Sequence, residues 1–257
     1  MSDLTGRVVL ITGASSGIGA ASARAFAQAG ARLLLVARRR ERLDRLAAEC
    51  ERLGAAESST LTLDVRDEAA VRHALGGLEE PWRSIEVLIN NAGLSRGLAP
   101  LQSGAVADWQ EMIDTNVKGL LFVDRAVTPG MVERGRGMVI HIGSVAGRQV
   151  YPGGNVYCAT KYAVRALTDA LRLDLGGTGV RVTSVDPGMV QTEFSEVRFH
   201  GDRARAERVY QGMTPLGADD VAEVVLFAAT RPPHVTLAEA LLLPTDQASA
   251  TSIHRRE

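Results

Sequence analysis

The sequence is poor in cysteine and nearly neutral, and each lack excludes a class of protein. The 257 residues include two cysteines, Cys50 and Cys158, too few for a disulfide framework and typical of a reducing compartment. A formal net charge of −1 gives no electrostatic reason to expect a nucleic-acid or membrane partner. No apolar run approaches the roughly 18 residues that cross a bilayer. No signal peptide is recognisable at the start, so a cytoplasmic protein is expected.

What the sequence does have is a regular alternation of strand and helix patterns, without repeats or low-complexity tracts. Strands are predicted at Arg7–Thr12, Arg32–Ala37, Ser59–Leu63, Val87–Asn90, Gly137–Ile142, Val180–Val185 and Ala240–Leu243. Helices are predicted at Gly17–Ala29, Glu41–Leu53, Glu68–Leu78, Ala107–Val132, Val156–Leu175 and Ala218–Ala229. The alternation predicts an α/β protein: a single-domain Rossmann fold over residues 1–257, with a doubly wound parallel sheet of about seven strands and helices on both faces.

One stretch breaks this rhythm. Residues 189–215 are polar and charged without a clean period, and they follow Pro187-Gly188 at the end of a predicted strand. Ligands of such sheets bind at the carboxyl ends of the strands. The stretch is therefore interpreted as a mobile substrate loop that closes over the active site.

A glycine-rich turn joins the first strand to the first helix. Its sequence, Gly13-Ala-Ser-Ser-Gly17-Ile-Gly19, lies in the strand–turn–helix setting of a dinucleotide site. Gly13 would allow the tight turn, Gly17 the approach of a pyrophosphate, and Gly19 close packing of helix on sheet. The free N–H groups of the helix N-terminus would bind the anion.

The second strand ends in Arg38-Arg39-Arg40, where an NAD site would have an acidic residue for the ribose 2′-hydroxyl. A guanidinium suits a 2′-phosphate through its charge and bidentate hydrogen bonds. Arg38 is the main candidate, while Arg39 and Arg40 also fit a solvated helix start. NADP(H) is the predicted cofactor.

Tyr157 and Lys161 are four residues apart in a predicted helix, with Ser144 thirteen residues upstream. Residues at i and i+4 share a helix face, so phenol and ammonium can point into one cavity. A nearby cation favours the phenolate and is expected to lower the tyrosine pKa. Tyr157 could then exchange a proton with a carbonyl or alcohol oxygen.

Further motifs follow in order along the chain: Asp64-Val65, Asn90-Asn91-Ala92-Gly93, Thr115-Asn116-Val117-Lys118-Gly119, Pro187-Gly188 and Thr192. With the glycine turn and the Tyr-x-x-x-Lys pair, they resemble the short-chain dehydrogenase/reductase family over residues 5–245. Parts of the second half, 151–157, 192–202 and 243–255, are similar to its NADP-dependent 3-hydroxy acid (serine 3-) dehydrogenase subgroup. Arg96 and Arg148-Gln149 are more basic than that pattern.

The resemblance implies roles for four catalytic residues. Tyr157 would be the proton donor or acceptor, and Ser144 would hydrogen-bond the reacting oxygen unless it only caps a turn. Lys161 would bind the nicotinamide ribose as well as acting on Tyr157. Asn116 would hold a water that links Lys161 to solvent, and it could also bend its helix.

The remaining cofactor contacts are weaker inferences. Asp64 would accept from the adenine amino group, or else cap the following helix. The predicted contacts are Gly13, Ser15, Ser16, Gly17, Ile18, Gly19, Arg38, Arg39, Asp64, Val65, Asn91, Ala92, Gly93, Tyr157, Lys161, Pro187, Gly188, Val190 and Thr192. The scattered histidines support no metal site, and His141 is interpreted as a core residue without an evident carboxylate partner.

The substrate is the least defined part of the prediction. A small 3-hydroxy acid such as serine, allo-threonine or 3-hydroxypropionate would need a cation for its carboxylate, and Arg148, Arg198 and Arg203 are the candidates. The alternatives are a reductase of a less polar aldehyde or ketone, and a non-catalytic protein that senses NADP(H). The family resemblance also implies a homotetramer.

Overall fold

A seven-stranded parallel sheet forms the centre of the computed structural model, which describes residues 3–256. The strand order is β3-β2-β1-β4-β5-β6-β7, and every neighbouring pair is parallel. The strands are β1 Val8–Thr12, β2 Arg32–Ala37, β3 Glu57–Thr62, β4 Ile85–Asn90, β5 Gly137–Ile142, β6 Val180–Pro187 and β7 Glu239–Leu242. The order reverses beside β1, which places a crevice at the carboxyl ends of β1 and β4.

Helices cover both faces of the sheet. They are α1 Gly17–Gln28, α2 Arg40–Leu53, α3 Glu68–Gly76, α4 Val106–Ile113, α5 Leu120–Glu133, α6 Asn155–Asp174, α7 Phe194–Arg198, α8 Arg203–Arg208 and α9 Ala218–Ala229. Successive β1 side chains enter opposite cores, as the strand period of two requires. Val9 packs in the cluster that contains Phe26 of α1, and Leu10 in the cluster that contains Val123 of α5. The predicted fold class is confirmed.

The helix predicted as Ala107–Val132 is not regular along its length. A π-helical turn at Asp114–Gly119 separates α4 from α5. Asn116 lies in this turn, and its amide hydrogen-bonds across to another loop. Asn116 therefore lies where the regular α-helix is interrupted, and the helix bend expected there stays a prediction.

Two boundaries matter for the site. β6 continues to Pro187, two residues beyond the prediction, because β7 pairs with it as far as the Pro187–Leu242 register. Residues 189–215 are not a plain loop, since they contain α7 and α8. α7 is the part that lies over the cleft.

Candidate active site

A cleft of about 310 Å³ opens at the carboxyl ends of the strands. All the predicted cofactor residues except Gly19 line it, together with Ser144 and residues of the segment that follows β6. The glycine turn, the arginines after β2 and the Tyr-x-x-x-Lys helix therefore converge on one cavity, although they are up to about 150 residues apart in sequence.

Glycine is required at two points of the turn after β1. Gly13 has φ +65°, and a Cβ there would lie 2.8 Å from Asn91 Nδ2. A Cβ on Gly19 would lie 2.5 Å from the Gly13 carbonyl oxygen. Gly19 does not line the cleft, and its missing side chain lets α1 pack closely against the turn. At Gly13 and Gly17 the backbone itself faces the cavity. Such a bare cradle fits a pyrophosphate.

Thr12, which begins the Thr-Gly motif but was not among the predicted site residues, connects the turn to β4. Its hydroxyl accepts from the backbone N–H groups of Asn91 and Ala92 at 2.9 and 3.0 Å. The same hydroxyl donates to Asn90 Oδ1 at 3.2 Å. Asn91 Nδ2 in turn donates to the Thr12 carbonyl at 2.9 Å. These bonds fix the Asn-Asn-Ala-Gly segment against the glycine turn.

The basic end of the cleft is built around Arg39 as well as Arg38. Both arginines line the cavity. The Arg39 guanidinium donates to Ser15 Oγ at 2.9 and 3.1 Å and to Ser16 Oγ at 2.8 Å. It also pairs with Glu193, a contact that no local sequence pattern predicts. Guanidinium and hydroxyl groups in this arrangement fit a phosphate.

Asp64 lines the same cleft and is held by Arg66. Its carboxylate accepts from Arg66 Nε at 3.0 Å and from Nη2 at 2.6 Å. Hydrogen bonds from Arg66 hold the pKa of Asp64 below its usual value, so it is an ionised acceptor. The helix-cap alternative for Asp64 is wrong, because Asp67 caps α3 by accepting from Ala70 N–H.

The catalytic candidates are buried at the opposite end. Ser144, Tyr157 and Lys161 are 8%, 8% and 7% exposed. Ser144 follows β5 and caps the short turn Val145–Gly147, accepting from Ala146 N–H at 3.1 Å. Its turn-capping role is thus real, and it lines the cleft together with Tyr157. Lys161 Nζ donates to the Ile142 carbonyl at 2.8 Å.

The pKa pattern differs from the expectation that Lys161 lowers the tyrosine pKa. Burial raises the pKa of Tyr157 above its usual value, and Tyr151 adds to the rise, while Arg198 and then the Ser144 hydroxyl oppose it. Burial also lowers the pKa of Lys161 to about 8. Desolvation disfavours both charged forms, so the cation that acts on Tyr157 in this structure is Arg198.

Asn116 braces the site through its side chain. Its Oδ1 accepts from Leu94 N–H at 2.8 Å, and its Nδ2 donates to the Leu94 carbonyl at 2.8 Å and to Thr160 Oγ1 at 3.0 Å. Thr160 directly precedes Lys161 on α6. The π turn therefore positions the lysine, and the water-holding role of Asn116 stays a prediction.

Of the three arginines considered for a substrate carboxylate, one lies over Tyr157. The Arg198 Cζ atom is 5.3 Å from the centre of the Tyr157 ring, and Nη2 donates to Tyr151 Oη at 3.0 Å. Arg148 is instead occupied by the carboxylates of Asp186 and Glu239. Arg203 is on the surface, with a side chain that is 80% exposed.

The described residues that line this cleft include no histidine. His141 does have a carboxylate partner, contrary to expectation: its Nε2 lies 3.0 Å from Asp124 Oδ2. Both residues are buried in the core, so the core interpretation of His141 is confirmed. Across residues 3–256, no group of three or more His, Cys, Asp or Glu is arranged to hold a metal ion.

Comparisons with known proteins agree with this geometry. Residues 7–202 match the family model described as short chain dehydrogenase. The chain is 49% identical to sulfoacetaldehyde reductase 2 of Chromohalobacter salexigens, covering 96% of this chain and 98% of that protein. It is 48% identical to the NADP-dependent 3-hydroxy acid dehydrogenase YdfG of Salmonella typhi, covering 96% and 99%. A closed form of serine dehydrogenase complexed with NADP+ superposes with a TM-score of 0.90 at 46% identity, covering 97% and 100%.

Proposed function

This chain belongs to the short chain dehydrogenase family, and from that premise we propose that it is an NADP-dependent oxidoreductase of small 3-hydroxy acids. It would interconvert acids of the serine, allo-threonine and 3-hydroxypropionate type with their semialdehydes. The observation that carries the proposal is the position of the Arg198 guanidinium above the ring of Tyr157, which lines the cleft together with Arg38 and Arg39.

The cofactor follows from the basic end of the cleft. Two guanidinium groups and two serine hydroxyls there fit a 2′-phosphate, and no acidic residue stands at the end of β2 to bind a 2′-hydroxyl instead. The 3-hydroxy acid dehydrogenase of Salmonella typhi is likewise named as NADP-dependent. NADP(H), when bound, supplies the hydride transfer.

Proton transfer would be carried out by side chains of the protein. Tyr157 would donate it to the carbonyl oxygen in reduction and accept it from the alcohol in oxidation. Ser144 would hold that oxygen beside the phenol, since both side chains line the same cleft. Lys161, fixed by the Ile142 carbonyl, would hold the nicotinamide ribose.

Arg198 would bind the acid group of the substrate. Its Nε donates to Ser95 Oγ at 3.1 Å and its Nη2 to Tyr151 Oη at 3.0 Å. Neutral hydroxyls therefore fix the side chain, and no carboxylate among residues 3–256 forms an ion pair with it. Phe194 packs on Tyr157 with ring centres 5.5 Å apart. Together they would place a substrate's acid group beside the phenol.

The test is a panel of 3-hydroxy acids and their methyl esters, followed by NADPH absorbance. The acid should be favoured over its ester by roughly 10- to 150-fold in kcat/KM, the value of one charge-assisted hydrogen bond. Arg198→Ala should remove this preference mainly through KM, whereas Arg203→Ala, at the exposed arginine of the same segment, should leave it unchanged. Esters as good as acids, together with a silent Arg198→Ala, would instead indicate a reductase of less polar carbonyl compounds.

The segment 189–215 would be the mobile element that opens and closes the site. Its helix α7 carries both Phe194 and Arg198 over Tyr157, so substrate entry requires it to move. Hydrogen exchange should show faster amide exchange in 189–215 than in β6, and slower exchange there once NADP+ is bound. Equal protection with and without NADP+ would contradict this role.

We also propose a cytoplasmic homotetramer. Apolar side chains on the outer helices and on β7 support it, because Leu173, Phe227 and Leu241 are 81%, 50% and 47% exposed. Both cysteines are free and buried, which agrees with a reducing compartment. No helix within residues 3–256 has the length and apolar character of a membrane span. Light scattering would measure the assembly mass, and cell fractionation the location.

A further inference from the structure

Glu193 joins the two walls of the cofactor cleft. Its Oε2 accepts from Arg39 Nη1 at 2.9 Å, and its Oε1 accepts from Arg42 Nη1 at 2.5 Å. Arg39 directly precedes α2 and Arg42 lies in the first turn of α2, while Glu193 directly precedes α7. Two ion pairs therefore cross from the cofactor side to the substrate side.

Arg39 uses its other edge on the glycine turn. Nε and Nη2 donate to Ser15 Oγ, and Nη2 also donates to Ser16 Oγ. The serine hydroxyls are neutral and can turn to donate to a phosphate oxygen. The Glu193 carboxylate is thus the anion that this cationic site holds in the structure.

A carboxylate and a 2′-phosphate on the same guanidinium repel each other. The Arg39, Arg42 and Glu193 side chains are 43%, 39% and 38% exposed, so water and salt screen the ion pairs and each is weak. Phosphate carries more charge and more acceptor oxygens than carboxylate and is the stronger partner for Arg39. Replacement of the Glu193 carboxylate by the 2′-phosphate on Arg39 is therefore favourable. The loss of the ion pair between Glu193 and Arg39 nevertheless weakens phosphate binding by a measurable amount.

We propose that Glu193 is a specificity-determining residue that competes with the cofactor 2′-phosphate for Arg39. This inference rests on the proposed NADP(H) function. Its consequence is a link between the two ends of the cleft, because the residue after Glu193 is Phe194, which packs on Tyr157. A 2′-phosphate on Arg39 would leave the start of α7, the helix that also carries Arg198, held by the Arg42 ion pair alone, whereas a 2′-hydroxyl would leave both ion pairs in place.

The experiment is calorimetric titration of the full-length protein with 2′,5′-ADP and with 5′-AMP, which differ in the 2′-phosphate. Glu193→Gln keeps the size of the side chain and removes its charge. It should bind 2′,5′-ADP about 3- to 10-fold more tightly than the wild type, the size expected of exposed ion pairs, with 5′-AMP unchanged. The gain should shrink in high salt.

Two controls isolate the contact with Arg39. Glu196→Gln neutralises an acid on α7 whose partner is Arg203 at 3.5 Å, and it should leave both affinities at wild-type values. In an Arg39→Gln background, Glu193→Gln should lose most of its effect on 2′,5′-ADP, because the contested cation is gone. Thermal unfolding checks that each variant is folded.

The opposing results are distinct. Equal or weaker binding of 2′,5′-ADP by Glu193→Gln would overturn the competition, and an equal gain for both nucleotides would overturn the specificity. Either result leaves the proposed function standing if the wild type still prefers 2′,5′-ADP to 5′-AMP. A wild type without that preference would overturn the proposed NADP(H) function and this inference with it.

Discussion

The two ends of the cleft differ in how deeply their side chains are buried. The phosphate end, formed by Ser15, Ser16, Arg38 and Arg39, is exposed or half-exposed and is tied together by ion pairs and hydroxyl contacts. The catalytic end, formed by Ser144, Tyr157 and Lys161, is at most 8% exposed. Charges in water can be exchanged at little cost, whereas burial shifts pKa values and fixes positions. The first end should therefore decide which cofactor binds, and the second whether the reaction occurs.

The largest effect should come from the buried end. Tyr157→Phe keeps the packing against Phe194 and removes the transferable proton, so kcat should fall about 10²- to 10⁴-fold, the usual contribution of a general acid or base. Binding of 2′,5′-ADP should stay at the wild-type value, because Tyr157 is far along the cleft from Arg39. Tyr162→Phe, on the exposed face of α6, is the matched control and should retain kcat within about twofold. A Tyr157→Phe enzyme with most of its activity would assign the proton to another group.

At the exposed end, the change should be one of preference rather than of rate. The wild type should favour NADP over NAD by roughly one to three orders of magnitude in kcat/KM, following the strength of charged hydrogen bonds. Arg38→Asp should erase or invert that preference, since an acid there suits a ribose 2′-hydroxyl. Arg40→Asp is the control, because Arg40 is 79% exposed and pairs with Asp44 on α2. If both variants changed the preference for NADP over NAD equally, the change in net charge, and not the position of Arg38, would explain the effect.

The smallest expected effect concerns stability, and it applies to Lys161. Its pKa of about 8 in the fold lies below the ordinary lysine value of 10.5, so the unfolded chain binds more protons between these two pH values. The free energy of unfolding should therefore rise with pH between about 8 and 10.5. Below about pH 8 it should be lower than above pH 10.5 by on the order of 3 kcal/mol.

Lys161→Met removes this dependence. The variant's free energy of unfolding, measured against the wild type in denaturant titrations at several pH values, should show its largest relative gain below pH 8 and lose it toward 10.5. The lost hydrogen bond to Ile142 shifts the whole difference by about 1 kcal/mol without changing its slope. A difference that does not vary with pH would mean that Lys161 keeps its ordinary pKa.

The sequence predicted the framework well because local patterns determine it. Alternating strands and helices were enough for the doubly wound sheet, and the glycine turn needed only its own flanks to be interpreted. The spacing of four residues between Tyr157 and Lys161 placed both on one face of α6. What failed were properties that depend on burial and on distant partners. The raised pKa of Tyr157 follows from desolvation, which spacing along a helix does not reveal.

The missed contacts have the same origin. Glu193 is 154 residues from Arg39 in the chain, and the two meet because the segment after β6 folds back over the glycine turn. Arg148, Arg198 and Arg203 looked equivalent in the sequence, and only their surroundings separate them. Arg148 binds two buried or half-buried carboxylates, Arg198 binds hydroxyl groups, and Arg203 is 80% exposed and pairs with the surface carboxylate of Glu196. The π turn at Asn116 likewise depends on a backbone contact with Leu94.

The most direct test of the division between the two ends is the oxidation of L-allo-threonine by the wild-type protein, with kcat/KM measured for NADP+ and for NAD+. We expect steady turnover, with NADP+ favoured by roughly one to three orders of magnitude. Equal efficiency with the two cofactors would contradict the role of the phosphate end. Tight binding of NADP+ without turnover of any 3-hydroxy acid or semialdehyde would contradict the catalytic end and indicate a protein that only senses the cofactor.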